Sequence, residues 1–87
     1  MGTYQIEWKK SALRELRRLD SQVVPRILAA VDSLSTQPLP AGVRKLQGSL
    51  RTYRIRIGNY RLIYELCEST LVVEVVRVRH RKDAYRG

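Results

Sequence analysis

From Tyr53 onward, apolar and polar residues trade places one by one. Tyr53, Ile55 and Ile57 are separated by Arg54 and Arg56, and Tyr60, Leu62, Tyr64 and Leu66 by Arg61, Ile63 and Glu65. A period of two belongs to a strand with one buried face. Gly58-Asn59 between the two runs is a tight-turn signal, so together they predict a hairpin over 53–66. Glu68-Ser69-Thr70 marks a second turn. The run that follows is apolar at Leu71, Val72, Val73, Val75, Val76 and Val78, which predicts a central strand covered on both sides. At the other end of the chain Tyr4, Ile6 and Trp8 alternate with Gln5 and Glu7, predicting a short strand over 3–8.

Between these strands the period lengthens. Leu13, Leu16 and Leu19 recur at helical spacing over 10–19, with Ser11 as the expected N-cap. Asp20 or Ser21 is expected to cap a second helix whose buried stripe is Val24, Ile27, Leu28, Val31 and Leu34. Pro25 is compatible only with a first turn, so that helix starts near residue 21. Thr36-Gln37-Pro38-Leu39-Pro40-Ala41-Gly42 reads as a loop. The order is β-α-α-β-β-β with a short basic tail. It predicts a single α+β domain over 1–87, a helical hairpin packed on one face of a mainly antiparallel sheet.

Composition adds a chemical direction. The 87 residues suffice for one domain, and 44% hydrophobic residues suffice for a core. Lys and Arg number 17 against 8 Asp and Glu, a net charge of +9, and 13 of the 17 are Arg. Residues 1–43 hold six basic and four acidic residues, whereas 44–87 hold eleven and four. Arginine presents a planar fork of donors that matches phosphate oxygens. No apolar run approaches the roughly 18–20 residues of a membrane span, and the N-terminus lacks the apolar stretch of a secretory signal. One cysteine, Cys67, and one histidine, His80, leave too few soft ligands for a zinc centre. A cytoplasmic protein without metal, cofactor or membrane partner is expected.

Strand parity places the charge. Arg54 and Arg56 point together, away from the apolar side of their strand, and Arg61 can join them across the hairpin. Arg77, Arg79 and Arg81 share parity in the last strand. Six guanidinium groups would then form one cationic face, opposite the helices. Exposed like charges at ~4 Å repel by about 1 kcal/mol per pair in water, so such a face implies an anionic partner. Neither helix carries the polar recognition pattern of a major-groove reader; single-stranded RNA suits the surface better. Tyr53, Tyr60 and Tyr64 are expected in the core, while Tyr85 belongs to the polar tail. Lys45, Arg51, Arg77, Arg79, Lys82 and Arg86 are read as RNA-binding.

The ordered set Lys45-Leu46-x-Gly48, Tyr53-Arg54-Ile55-Arg56, Tyr60-Arg61-Leu62-Ile63-Tyr64 and Val76-x-Val78-x-His80-Arg81-x-x-Ala84-Tyr85 resembles the RelE/ParE toxin superfamily, and more closely its RelE branch. The resemblance covers essentially the whole chain and implies the same β-α-α-β-β-β fold. It implies an endoribonuclease toxin that cleaves mRNA in the ribosomal A site without metal. The partners it implies are the ribosome, mRNA and a RelB-like antitoxin, through which alone it would reach operator DNA. By position, Arg54, Arg56, Arg61, Arg81 and Tyr85 would be the catalytic set, binding the scissile phosphate and orienting the attacking 2′-hydroxyl. The best-studied relative has lysines where this chain has Arg54 and Arg56. A guanidinium, with a pKa above about 12, stabilises charge but does not accept protons. Tyr85 or His80 would then take the proton, although His80 alternates to the face opposite Arg81. A gyrase-inhibiting toxin of the ParE kind and a non-catalytic RNA-binding module are the alternatives.

Overall fold

The computed structural model describes residues 3–84. β3 (Thr52–Ile57) and β4 (Tyr60–Cys67) pair antiparallel from Thr52 opposite Glu65 to Ile57 opposite Tyr60. Gly58 has φ 60°, the positive value that a type II′ turn requires at its first central residue. A Cβ at this position would also lie 3.1 Å from Nη1 of Arg26, whose guanidinium covers the turn. β5 (Val72–His80) pairs antiparallel with β4 and parallel with β1 (Gln5–Trp8). A two-residue strand, β2 (Arg44–Lys45), completes the order β1-β5-β4-β3-β2.

The parallel pair needs a crossover, and two helices supply it. These are α1 (Lys10–Arg17), which lies against β5, and α2 (Val24–Ser33), which lies against β3. A last helix, α3 (Arg81–Ala84), follows β5 directly. The expected element order therefore holds, with β2 and α3 added where a connection and a tail were expected.

The helix starts differ from expectation. α1 begins one residue before Ser11, with Lys9 at the N-cap and no side-chain cap bond. α2 begins at Val24 rather than near 21, with Pro25 in its first turn. Asp20 instead builds the turn ahead of the helix: its Oδ1 accepts the Gln22 N–H at 3.1 Å and its carbonyl accepts the Val23 N–H at 2.9 Å. Ile27, Val31 and Leu34 of the α2 stripe are buried, whereas Leu28 stays 40% exposed. The helix meets the sheet along the i, i+4, i+7 line, and Leu28 falls about 100° to the side of Ile27.

Ala12 and Leu16 of α1 join that line against Ile55, Ile57, Leu62, Tyr64, Leu66, Val73, Val75 and Val78 to form one core. The β5 members change parity within the strand. Ile63 pairs with Arg77 but Tyr64 pairs with Val75, so Val76 is an extra residue, a β-bulge. Before it the odd-numbered residues face the helices; after it the even-numbered ones do. Without the bulge Arg77 and Arg79 would point into the core.

Tyr64 fastens the long connection to the sheet. It is fully buried, stacks on Tyr53 with 6.0 Å between ring centroids, and donates its hydroxyl to the Pro38 carbonyl at 2.6 Å. Burial, with a smaller contribution from Tyr53, pushes the hydroxyl from 10.0 up to about 12. The neutral form is thus the one the fold favours. The stabilisation is complete below pH 10 and is lost as pH rises toward 12. Tyr64→Phe is expected to cost about 1 kcal/mol at neutral pH but to flatten the loss of stability across that alkaline window. Thermal melts of both proteins at a series of pH values check this; equally steep profiles would contradict it.

Candidate functional site

Alternation on β3 and β4 turns Arg54, Arg56 and Arg61 to the sheet face that the helices leave open. Cross-strand register then arranges this face in rows. Arg56 lies opposite Arg61, which lies opposite Arg79. The next row runs Arg44, Arg54, Ile63, Arg77. Beyond it comes Thr52, Glu65, Glu74, Glu7, three carboxylates side by side on adjacent strands. The open face is cationic at the hairpin-turn end and acidic at the other.

Two recesses open at the cationic end. One, of about 350 Å³, is lined by Gly42, Arg44, Arg54, Arg56 and Arg61. The other, of about 250 Å³, is lined by Arg56, Arg61, Arg81 and Lys82. Among the described residues no carboxylate lines either of them. The backbone around them is fixed. Arg81 donates its N–H to the Asn59 carbonyl at 2.7 Å, tying the end of β5 to the β3–β4 turn. Arg56 Nε donates to the Gly58 carbonyl at 3.3 Å. A set of guanidinium forks held on a rigid sheet is suited to phosphate oxygens and to charge that develops on phosphorus.

A family described as ParE toxin of type II toxin-antitoxin system, parDE, matches residues 6–85. Toxin RelG of Mycobacterium tuberculosis is 36% identical over 88 residues, covering 95% of this chain and 97% of its own. The chain belongs to the RelE/ParE family of type II toxins. The toxin's fold agrees with the RelE–RelB complex of Pyrococcus horikoshii OT3 at a TM-score of 0.81 and 30% identity, over 91% of this chain and 96% of that one. It agrees with the intact Escherichia coli RelBE complex at 0.76 and 29% identity, over 88% and 95%.

Of the toxin residues singled out from sequence, Arg54, Arg56, Arg61, Arg81 and Lys82 come together around the recesses. Arg77 lies on the same face, one row in. Lys45 does not join them. It pairs with Tyr53 and so has the parity of the helix side; its neighbour Arg44 takes the recess position. Arg51 lies at the acidic end, 3.8 Å from Glu65. Tyr85 and Arg86 lie outside the described residues. Arg44 was missed because nothing in the sequence marks two residues as a strand. Arg26 was missed because its role over Gly58 depends on tertiary packing.

His80 sits on the helix side, as parity implied. Its ring packs edge-on against Tyr60 at 5.1 Å, and its Nδ1 accepts the Lys82 N–H at 3.2 Å at the start of α3. The pocket it lines is shared with Glu15, Arg18 and Asp20, not with the arginine recesses.

Arg79, expected to share the cationic face with the other five arginines, is instead drawn toward α1 and lines the same pocket as His80. Glu15 of α1 accepts the Val78 N–H through Oε1 and the Arg79 Nε–H through Oε2, each at 3.0 Å. The carboxylate covers the stretch of β5 edge that β1 leaves unpaired. Glu15→Ala strands that N–H and is expected to cost about 1–2 kcal/mol, a fall in Tm of roughly 5–10 °C. Calorimetry checks it, and Glu15→Gln, which keeps one acceptor, should lose less.

Proposed function

We propose that this toxin is a metal-independent endoribonuclease that cuts mRNA in the A site of translating ribosomes and so arrests translation. The observation that carries this reading is the pair of adjoining recesses lined by Arg44, Arg54, Arg56, Arg61, Arg81 and Lys82. In the reaction, a ribose 2′-hydroxyl attacks its own 3′-phosphate. The O2′–P bond forms and the P–O5′ bond breaks, leaving a 2′,3′-cyclic phosphate and a 5′-hydroxyl end. Negative charge grows on the phosphoryl oxygens on the way. Arg56, Arg61 and Arg81 answer that charge, with Arg54 beside them; being guanidinium groups, they stabilise it and take no proton. Tyr85 is the proposed proton-handling residue: as the phenolate it takes the 2′-hydroxyl proton, and the phenol then returns that proton to the departing O5′. His80, turned to the opposite face, is assigned a positioning role at the start of α3.

The toxin acts in the cytoplasm, held inactive by a RelB-like antitoxin and reaching operator DNA only through it. The RelB complexes of its structural relatives support this pairing. Primer-extension mapping after induction tests the reading: mRNA should be cut within codons, and intact mRNA would overturn it. One observation favours a second reading, gyrase inhibition, namely the match to the ParE family. DNA damage with intact mRNA would select it. Salt-sensitive RNA binding without cleavage would instead select a binding module.

A further inference from the structure

On the endoribonuclease reading just given, we propose that the recess of Gly42, Arg44, Arg54, Arg56 and Arg61 seats a second phosphate of the same RNA strand, next to the scissile one, and that Arg44 is the residue dedicated to it. The scissile phosphate belongs with Arg56, Arg61, Arg81 and Lys82. The two recesses share Arg56 and Arg61 and differ in the rest, which is the arrangement of two neighbouring anion seats.

Charge placement supports the assignment. Arg44 and Arg54 stand directly opposite each other on an antiparallel pair, where like charges destabilise. No described carboxylate lines their recess. An anion seated between them turns that repulsion into two charge-assisted contacts. Position supports it too. A two-residue strand would be weak alone, yet β2 is anchored on both flanks. The Leu46 N–H donates to the Thr52 carbonyl at 2.8 Å and the Val43 N–H to the Pro40 carbonyl at 3.1 Å. Pro38, upstream, is held by the Tyr64 hydroxyl. Arg54 and Arg56 are two residues apart on one face, about 6.7 Å, the scale of one nucleotide step. The row of Glu65, Glu74 and Glu7 closes β4, β5 and β1 to a polyanion that continues along them, while the same row on β3 is the neutral Thr52. The RNA therefore leaves the scissile seat diagonally, one row along β3 and across to β2.

A phosphate that does not react is bound equally in ground and transition states, so Arg44 serves affinity and not the rate of the step. In single-turnover cleavage of a defined mRNA on ribosomes, Arg44→Ala should raise the half-saturating toxin concentration about tenfold. The plateau rate should stay within about twofold, and Arg44→Lys should recover part of the loss. A methylphosphonate at one of the two linkages flanking the scissile one should reproduce the loss in the unmodified toxin and add nothing to Arg44→Ala. A reduced plateau at unchanged half-saturation, or fully additive losses, overturns the assignment. Salt titration of binding to a single-stranded RNA oligonucleotide reads the same seat without cleavage. Arg44→Ala should lower the slope of log K against log salt by roughly 0.7, the value for one phosphate contact, and an unchanged slope overturns it. If the toxin leaves ribosome-bound mRNA uncut but Arg44→Ala still lowers that slope, the endoribonuclease reading fails and the phosphate seat stands.

Discussion

The double substitution Arg61→Ala, Arg81→Ala is expected to lower mRNA cleavage on ribosomes by roughly 10⁴-fold, since removing one preorganised donor at a developing oxyanion costs on the order of 10²–10³. Growth arrest on induction should disappear with it. Both residues line the recess assigned to the scissile phosphate, and both reach it from firm backbone. Arg61 stands in the middle of the β3–β4–β5 ladder, opposite Arg56 and Arg79. Arg81 is tied through its own N–H to Asn59, a bond that alanine retains. The loss should therefore be in rate, with circular dichroism and melting little changed. Single lysine replacements should fall between, because an ammonium keeps the charge but not the fork. A folded double variant that still cuts mRNA within tenfold of the parent would remove these arginines from the chemistry.

The exchange Arg77→Val, Val78→Arg should prevent cooperative folding altogether, whereas deleting Val76 should not. Val76 is the bulge that lets Val73 and Val75 face the helices on one side of it and Val78 on the other. With that residue gone, Arg77 follows Val75 directly, so Val73, Val75 and Val78 share one parity and both arginines still point away from the core. The pairs of Tyr64 with Val75 and Ile63 with Arg77 are kept and become consecutive. The exchange has no such escape: with the bulge it seats a guanidinium at the fully buried position 78, and without the bulge it drives Arg79 inward. Burying an unpaired charge costs several kcal/mol, comparable with the entire 5–15 kcal/mol that stabilises a domain of this size. Val76→Ala keeps the residue count and should remain folded. A sigmoidal urea transition in the exchanged variant, or its loss in the deletion variant, would discount this account of the bulge.

The arginine face was legible where a local rule dictates it. Alternation alone assigned Arg54, Arg56 and Arg61 to the side opposite Ile55, Ile57 and Leu62, because a pleated strand leaves no third option. The order of strands and helices followed from the two periods in the same way. The bulge was hidden because the run around it is apolar at almost every position, so a change of phase leaves no mark. β2 was invisible because a two-residue strand exists only through its partner, β3. Glu15 and Arg79 are 64 residues apart, and no spacing links them. The helix starts shifted because Lys9 and Val23 take the cap positions without contributing a side-chain bond, so no capping signature marks them. The family motif drew attention to Lys45, whereas parity on β2 hands the recess to Arg44.

The acidic row across β4, β5 and β1 has a kinetic meaning. It sits on the same face as the arginines, about 13 Å along the strand from the Arg56 row, a separation larger than the Debye length of about 8 Å at physiological salt. A polyanion approaching this surface feels attraction at one end and repulsion at the other, hence a torque as well as a pull. The molecule is turned during its approach so that the hairpin end arrives first. Collisions that would seat the wrong edge are rejected before contact. Neutralising Glu7, Glu65 and Glu74 raises the net charge from +9 to +12, yet it flattens this bias: more encounters, and a smaller fraction of them correctly oriented.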